Sequence, residues 1–305
     1  MAVNERRIAA IGNFDGVHRG HRFLLERTIA FAREAGAGPA VVVFDPHPRR
    51  YFRPDDPPFL ITTPETRDLL LLEAGAEAVL PLKFDRALAS LTPEAFVRDV
   101  LRGRLDLAGV VTGRDFRFGA GRAGDADSLS ALCVRHGLAH LVVEPIADHQ
   151  HTEKIGSTAI REALMSGAVD RAAAMLGRPW RVDGVVGHGR QIGRTLGFAT
   201  ANLTLGELIE PRRAVYAVRA IVGGQHFDAV ANFGRKPTVG EVAPLLEVHL
   251  FDFSGDLYGR TIGVEFAAFL RDERKFDGLE SLKAQIAADC ADARRRLSED
   301  AARRA

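Results

Sequence analysis

Cysteine is nearly absent. The 305 residues hold two, Cys133 and Cys290, which form neither a Cys-x-x-Cys pair nor a zinc-type spacing. That excludes a disulfide-stapled secreted scaffold and leaves both thiols as core-filling groups in a reduced compartment. An excess of one charge is missing too: 41 Lys and Arg stand against 40 Asp and Glu. No overall field draws the chain to nucleic acid or to an anionic membrane, so any anion must be held by local sites. No apolar run approaches membrane-spanning length, and Met1 to Arg7 lead into the first apolar stretch without a signal-peptide core. A soluble, cytoplasmic protein is expected. Internal repeats and low-complexity segments are also lacking, while the length suffices for two domains with a core each.

What is present changes character along the chain. Up to about Leu176, short apolar runs alternate with amphipathic stretches. Strands are expected at Arg7 to Ile11, Ala40 to Phe44, Ala78 to Leu82, Gly109 to Thr112 and Leu141 to Val143. Helices are expected at Glu65 to Ala74, Pro93 to Leu101 and Ser128 to His136, with Phe23 to Phe31 in another. This alternation predicts an α/β domain, a doubly wound parallel sheet, over residues 1–177. Beyond Gly177, runs at Ala214 to Val222 and Gln225 to Phe233 flank Gly223-Gly224, a hairpin pattern. Leu246 to Leu250 alternates, Ser254-Gly255-Asp256 turns, and Thr261 to Leu270 reads as a further strand. A small antiparallel β-barrel closed by a helix over Leu279 to Leu297 is therefore expected for residues 178–305. That helix shows an apolar stripe of Leu282, Ile286 and Ala293 against Lys283, Asp289 and Arg295, and the charged residues after it are expected to fray.

Between the first strand and the first helix lies Gly12-Asn13-Phe14-Asp15-Gly16-Val17-His18-Arg19-Gly20-His21. Ligands of open α/β sheets sit beyond the strand C-termini, where helix N-termini offer unpaired N–H groups to phosphate. Gly12 and Gly16 allow close backbone approach, and His18 and His21, three apart, can reach one phosphate. Two other readings exist: zinc held by these histidines with His47 of Phe44-Asp45-Pro46-His47-Pro48, or plain capping of the helix. A second phosphate candidate is Ile155-Gly156-Ser157-Thr158-Ala159-Ile160-Arg161, where Ser157 or Thr158 would cap a helix and Arg161 would contact phosphate one turn later. In the second half, Gly187, Gly189, Gly193 and Arg194 belong to a glycine-rich loop able to wrap a polyphosphate or to serve as a surface loop. Asp148-His149-Gln150-His151 reads as a solvent-exposed connector.

The Gly12 to His21 string, Phe44 to Pro48, and Gly113-Arg114-Asp115-Phe116-Arg117-Phe118-Gly119 resemble three nucleotidyltransferase motifs of the bacterial bifunctional riboflavin kinase/FAD synthetases. Gly193-Arg194-Thr195-Leu196-Gly197-Phe198-Ala199-Thr200-Ala201-Asn202 resembles their kinase motif, with Ala199 where the family has proline. The resemblance covers almost the whole chain, which begins late against it, nearly at the first strand. Gly156 and Ala159 also depart from the usual Ile-Ser-Ser-Thr-x-Ile-Arg.

The resemblance implies an ATP-dependent enzyme that phosphorylates riboflavin to FMN and adenylylates FMN to FAD. By carry-over, His18, His21 and Arg161 serve adenylyl transfer, and Gly12, Asn13, Phe14, Asp15, Gly16, Asp115, Ser157 and Thr158 shape the nucleotide pocket. His47 and Phe116 would meet the flavin there. In the kinase half, Thr200 and Asn202, alternating along a strand, would hold Mg2+. Glu247 would be the general base, against an ordinary solvent-facing carboxylate as the reading from composition alone. Asn232 and Thr238 would border the flavin, and Arg271 to Asp277 would form a closing loop. The partners expected are riboflavin, FMN and ATP, with neither nucleic acid nor membrane and with weak self-association left open. Two rival functions follow from the same residues: a nucleotidyltransferase for another phosphorylated substrate carrying a non-catalytic flavin-binding barrel, and a non-enzymatic flavin or nucleotide binder.

Overall fold

The computed structural model describes residues 6–145, 155–187, 198–235 and 244–304. They form two compact units: Met1–Asp56 with Thr63–Gly156, and Pro57–Thr62 with Ser157–Ala305. The division precedes the change in sequence character near Gly177 because α7 (Ser157–Ser166) packs on α8 (Val169–Leu176), and α8 packs on strands of the second unit.

In the first unit β1 (Arg7–Ile11), β2 (Gly38–Asp45), β3 (Ala78–Lys83), β4 (Gly109–Gly113) and β5 (Ala139–Val143) form a parallel sheet in the order β3-β2-β1-β4-β5. Its central strand is buried on both faces, as expected of a sheet wrapped by crossover helices. Ala9 and Ile11 pack with Phe96, Leu101 and Leu129, while Ala10 packs with Leu25 and Leu71. Thus α1 (Arg19–Glu34) and α3 (Pro64–Glu73) cover one face. The opposite face is covered by α6 (Ala126–Arg135) and by a helix whose first turn, Pro93–Ala95, continues as a π-helix over Phe96–Arg104. The chain leaves β1 toward β2 and β3, then returns to the other side of β1 as β4. Between the C-terminal ends of β1 and β4 it therefore creates a topological switch point, the usual place for a ligand crevice.

The second unit contains an antiparallel sheet ordered β6-β11-β8-β9-β10-β7. The strands are β6 (Trp180–Val185), β7 (Ala201–Leu203), β8 (Ala214–Val222), β9 (Gln225–Arg235), β10 (Pro244–Leu250) and β11 (Thr261–Asp272). The β8–β9 hairpin turns at Gly223 and Gly224, with φ of 59° and 84°. Positive φ at both central residues is what such a two-residue turn requires, and glycine adopts it without a Cβ clash. The two edge strands come together where Gly187, just beyond β6, donates its N–H to the carbonyl of Asn202 at 2.9 Å. Trp180, Tyr216, Phe233 and Phe266 are fully buried in this unit.

The closing helix, α9 (Leu279–Arg304), outruns its expected end at Leu297. Residues 298–304 are helical rather than frayed: Asp300 takes a 2.6 Å contact from Arg219, whose other terminal nitrogen donates to the Leu297 carbonyl. Asp289, read as a solvent-facing residue, is instead buried, because Arg271 of β11 reaches it with two nitrogens. Among the described residues no helix is long and apolar enough to cross a membrane.

Candidate functional site

The first unit places its candidate residues at the switch point. After β1, Gly12 is tied to β2 through the Val42 carbonyl, and the loop folds back with the Val17 N–H on the Phe14 carbonyl. Phe14 and Val17 adopt φ of 53° and 39°, uncommon for such side chains, and both are fully buried. Backbone in this region costs about 1–3 kcal/mol per residue and persists only where packing enforces it. The helix then starts at Arg19, so His18 is its N-cap rather than part of one helical face with His21. His18 Nδ1 accepts the His21 backbone N–H at 3.2 Å. A neutral ring accepting there carries its proton on Nε2. The two rings stack at 3.6 Å between centroids, with Phe14 tilted on His21 at 4.9 Å.

Burial, and secondarily the neighbouring His18, hold the His21 pKa well below the ordinary imidazole value, so the ring is neutral at neutral pH. Its Nδ1 is a buried atom without a hydrogen-bond partner among the described residues. Around this pair lies a cavity of about 260 Å³, walled by Gly12, Phe14, His18 and His21 on one side and by Asp115 and Phe116 on the other. Arg114 and Ile155, which stand inside two of the quoted motifs, also line it, as does Glu144, which no motif contains. Arg114 reaches Glu144 at 3.0 Å and Asp127 at 2.8 Å, a relationship between separate elements that no local motif carries.

Other expected residues lie elsewhere. Asn13, Asp15 and Gly16 share the loop without forming the cavity wall; Asp15 and Gly16 are buried and Asn13 is exposed. His47 follows β2 and caps the short α2 (Pro48–Phe52), with its Nδ1 accepting the Arg49 N–H at 3.1 Å. Among the described residues no group of three His, Cys, Asp or Glu is arranged to hold a metal. Ser157, Thr158 and Arg161 belong to the second compact unit. There the helix begins at Ser157, within the string expected to open it. Arg161 Nε donates to the Phe59 carbonyl at 2.8 Å, and its guanidinium lies 5.6 Å from the centre of the Phe59 ring.

The second unit builds its site across three strands. Glu247 of β10 is in register with Asn202 of β7 on one side and Asn232 of β9 on the other. Directly paired residues project from the same face, so the three polar groups form one row. Leu246 and Val248 are fully buried on the opposite face, as the alternation at Glu247 predicts. Asn202 is 6% exposed, its Oδ1 has no hydrogen-bond partner among the described residues, and its amide donates weakly to the Thr200 carbonyl. An orphaned buried oxygen is costly unless something binds it, so the donor set fits an oxygen-seeking cation.

Thr200 borders two cavities. One, of about 540 Å³, includes Asn202, His249, Asp256 and Tyr258; the other, of about 350 Å³, includes Asn232, Glu247, Phe276 and Ile286. At the place of the family's proline, the Ala199 carbonyl accepts a 2.8 Å hydrogen bond from His249 Nδ1. Gly187 bridges to Asn202, whereas Gly189, Gly193, Arg194 and Thr238 lie outside the described residues, as does the 148–151 connector.

A stacked histidine pair at an α/β switch point and a carboxylate in a polar row beside the buried Asn202 oxygen fit one class, a nucleotide-dependent transferase with two sites in one chain. Comparison with known proteins then gives the family. Residues 1–159 match the model described as FAD synthetase, and residues 176–297 the one described as riboflavin kinase. The bifunctional riboflavin kinase/FMN adenylyltransferase of Escherichia coli (strain K12) is 40% identical over 290 residues, 95% of this chain and 92% of the relative. Its namesake in Bacillus subtilis (strain 168) is 37% identical over 297 residues, with the same shares. A crystal structure described as a macrolide-efflux protein from Streptococcus pneumoniae superposes with a TM-score of 0.86 at 31% identity, covering 96% of this chain and 95% of its own. The chain belongs to the bifunctional riboflavin kinase/FMN adenylyltransferase family.

Proposed function

We propose that the chain makes FAD in two ATP-consuming steps. The C-terminal part phosphorylates riboflavin to FMN, and the N-terminal part adenylylates FMN to FAD with release of pyrophosphate. The observation that carries this reading is the Asn202–Glu247–Asn232 row in a chain that also holds the stacked His18–His21 pair.

In the kinase step Glu247 accepts the proton of the ribityl hydroxyl as that oxygen bonds to the γ-phosphorus of ATP. The bond from the γ-phosphorus to its bridging oxygen breaks and ADP leaves. Thr200 and Asn202 are the residues that would hold Mg2+, whose contribution is to neutralise phosphate charge; the partnerless Asn202 Oδ1 supports this assignment. The cavity holding Glu247 takes the flavin, since Phe198, Val230, Leu282 and Ile286 give it an apolar wall, with Asn232 at its border; Thr238 is assigned to the flavin by the family motif alone. The neighbouring cavity takes ATP, together with the Gly187 to Arg194 loop.

In the adenylyl step an FMN phosphate oxygen attacks the α-phosphorus of ATP. Positioning and charge stabilisation suffice, because no covalent enzyme intermediate is required. His18 supplies an Nε2 proton toward the transferring phosphate, and His21 lines the same cavity. Phe116 and His47 are assigned to the flavin. Ser157, Thr158 and Arg161 are assigned to the nucleotide by the family motif alone.

Incubating the purified chain with riboflavin, ATP and Mg2+ and following flavins by chromatography tests the reading. FMN should accumulate and then decline as FAD appears. Formation of neither product would overturn it.

A further inference from the structure

The buried carboxylate of Asp289 has no part in the chemistry above. It sits on α9, is 7% exposed, and receives Arg271 Nε at 2.8 Å and Nη2 at 2.6 Å. Gln285, one turn earlier, adds an amide donor at 2.7 Å. The remaining terminal nitrogen of Arg271 donates to the Asp272 carbonyl at 2.9 Å. The guanidinium is thus held in one plane by fixed donors and acceptors from two elements. Its carbon lies 5.8 Å from the centre of the Phe276 ring, and Arg271, Phe276 and Asp289 all border the cavity that contains Glu247 and Asn232.

A buried ion pair of this kind is a poor source of net stability, because removing two charges from water offsets most of their attraction. What it does provide is geometry: a forked guanidinium held on a carboxylate cannot sweep through its many rotamers. We propose that Asp289 is a positioning residue for the kinase site, fixing Arg271 so that its planar guanidinium, seated over the Phe276 ring, presents a rigid wall to the fused ring system of the flavin. The inference rests on the assignment of this cavity to riboflavin. It concerns binding of the ring system, and not the phosphoryl transfer performed 42 residues earlier in the chain at Glu247.

Riboflavin fluorescence quenching on the full chain measures the effect without relying on turnover. Asp289→Asn should weaken riboflavin binding by about tenfold and raise its KM in proportion, with kcat and the KM for ATP within about twofold of the parent. The double variant Arg271→Gln/Asp289→Asn should bind no worse than Arg271→Gln alone, because Asp289 acts through Arg271. Fluorescence of Trp180, the single tryptophan and a fully buried residue of this unit, reports whether each variant is folded. If Asp289→Asn unfolds the unit, Arg271→Lys serves instead: it keeps a cation facing Asp289 but loses the fork, and it too should weaken riboflavin binding about tenfold. Unchanged riboflavin affinity in a folded variant, additive losses in the double variant, or a fall in kcat with KM unaltered would each overturn the role of Asp289. If the parent chain fails to bind riboflavin, the functional reading itself is wrong, and this proposal falls with it.

Discussion

Gly20 shows how one hydrogen atom in place of a methyl group shapes the adenylyl site. A Cβ there would stand 3.1 Å from His18 Cε1 and 3.2 Å from its Nδ1, so the ring would have to shift by a few tenths of an ångström. Small displacements of charge-stabilising groups are expensive in rate, whereas the cost to the first turn of a helix is slight. Gly20→Ala should therefore slow FAD formation from FMN by about tenfold while thermal stability changes by less than about 1 kcal/mol, checked by single-substrate kinetics and by melting. His21→Ala should cost at least about 100-fold in the same assay and leave FMN formation intact, as expected for loss of a group stabilising transition-state charge. His140 marks a different kind of residue. Thr112 and Ser130 lie 3.1 and 2.7 Å from its two ring nitrogens, and burial lowers its pKa from 6.5 to about 4. Between those values the unfolded chain binds a proton that the folded chain refuses, so stability falls as pH drops from 6.5 toward 4 and is unaffected above that window. His21 acts with the same sign. The melting temperature should decline from pH 7.5 to pH 5, and His140→Gln should reduce that decline; an equal slope in the variant would remove His140 from the account.

At the scale of elements, local pattern was a good guide wherever one strand or helix decided its own identity. The β8–β9 hairpin, the first five strands and the Glu247 alternation follow from spacing and turn chemistry alone. Trp180–Val185 carries too little periodicity to mark itself as a strand, and its pairing with β11 is what makes it one; the Thr-x-Asn alternation does fall at a strand, Ala201–Leu203, with Thr200 just ahead of it. The same limit explains α9. Asp289 and Asp300 look solvent-facing in the sequence, but arginines distant in the chain draw both onto the sheet. Arg219 is the clearest case: its side chain is 15% exposed and it serves Asp300, Asp228 and the Leu297 carbonyl together. Arg219→Ala removes the contacts to Asp300, Asp228 and the Leu297 carbonyl together. It should cost about 1–3 kcal/mol in chemical denaturation followed by Trp180 fluorescence. Arg295→Ala, which removes an exposed pairing within the same helix, should cost less than about 1 kcal/mol.

For the whole molecule, the division of labour can be argued from the cavities themselves. Among the described residues, the histidine cavity is bordered by residues of the first compact unit, from Ile11 to Ile155. Those around Thr200, Asn202 and Glu247 are bordered only by residues of the second, from Val186 to Asp289. Among the described residues each cavity is thus walled by a single unit, although the Ser157–Arg161 motif assigned to the first activity belongs to the second unit. The Arg114–Glu144 and Arg271–Asp289 partnerships were not visible in the order of the motifs, since both join residues from different elements. Separate walls make the two activities separable by single substitutions. Glu247→Gln should abolish FMN formation while FAD synthesis from supplied FMN persists, and His21→Ala should stop the sequence at FMN. Mixing the two variants with riboflavin, ATP and Mg2+ then asks whether FMN is a released product. The His21→Ala protein would make FMN, the Glu247→Gln protein would consume it, and FAD should appear after a lag that shortens as protein concentration rises. A mixture that makes FMN but no FAD would mean that the intermediate does not pass through solution and that the two sites act as one.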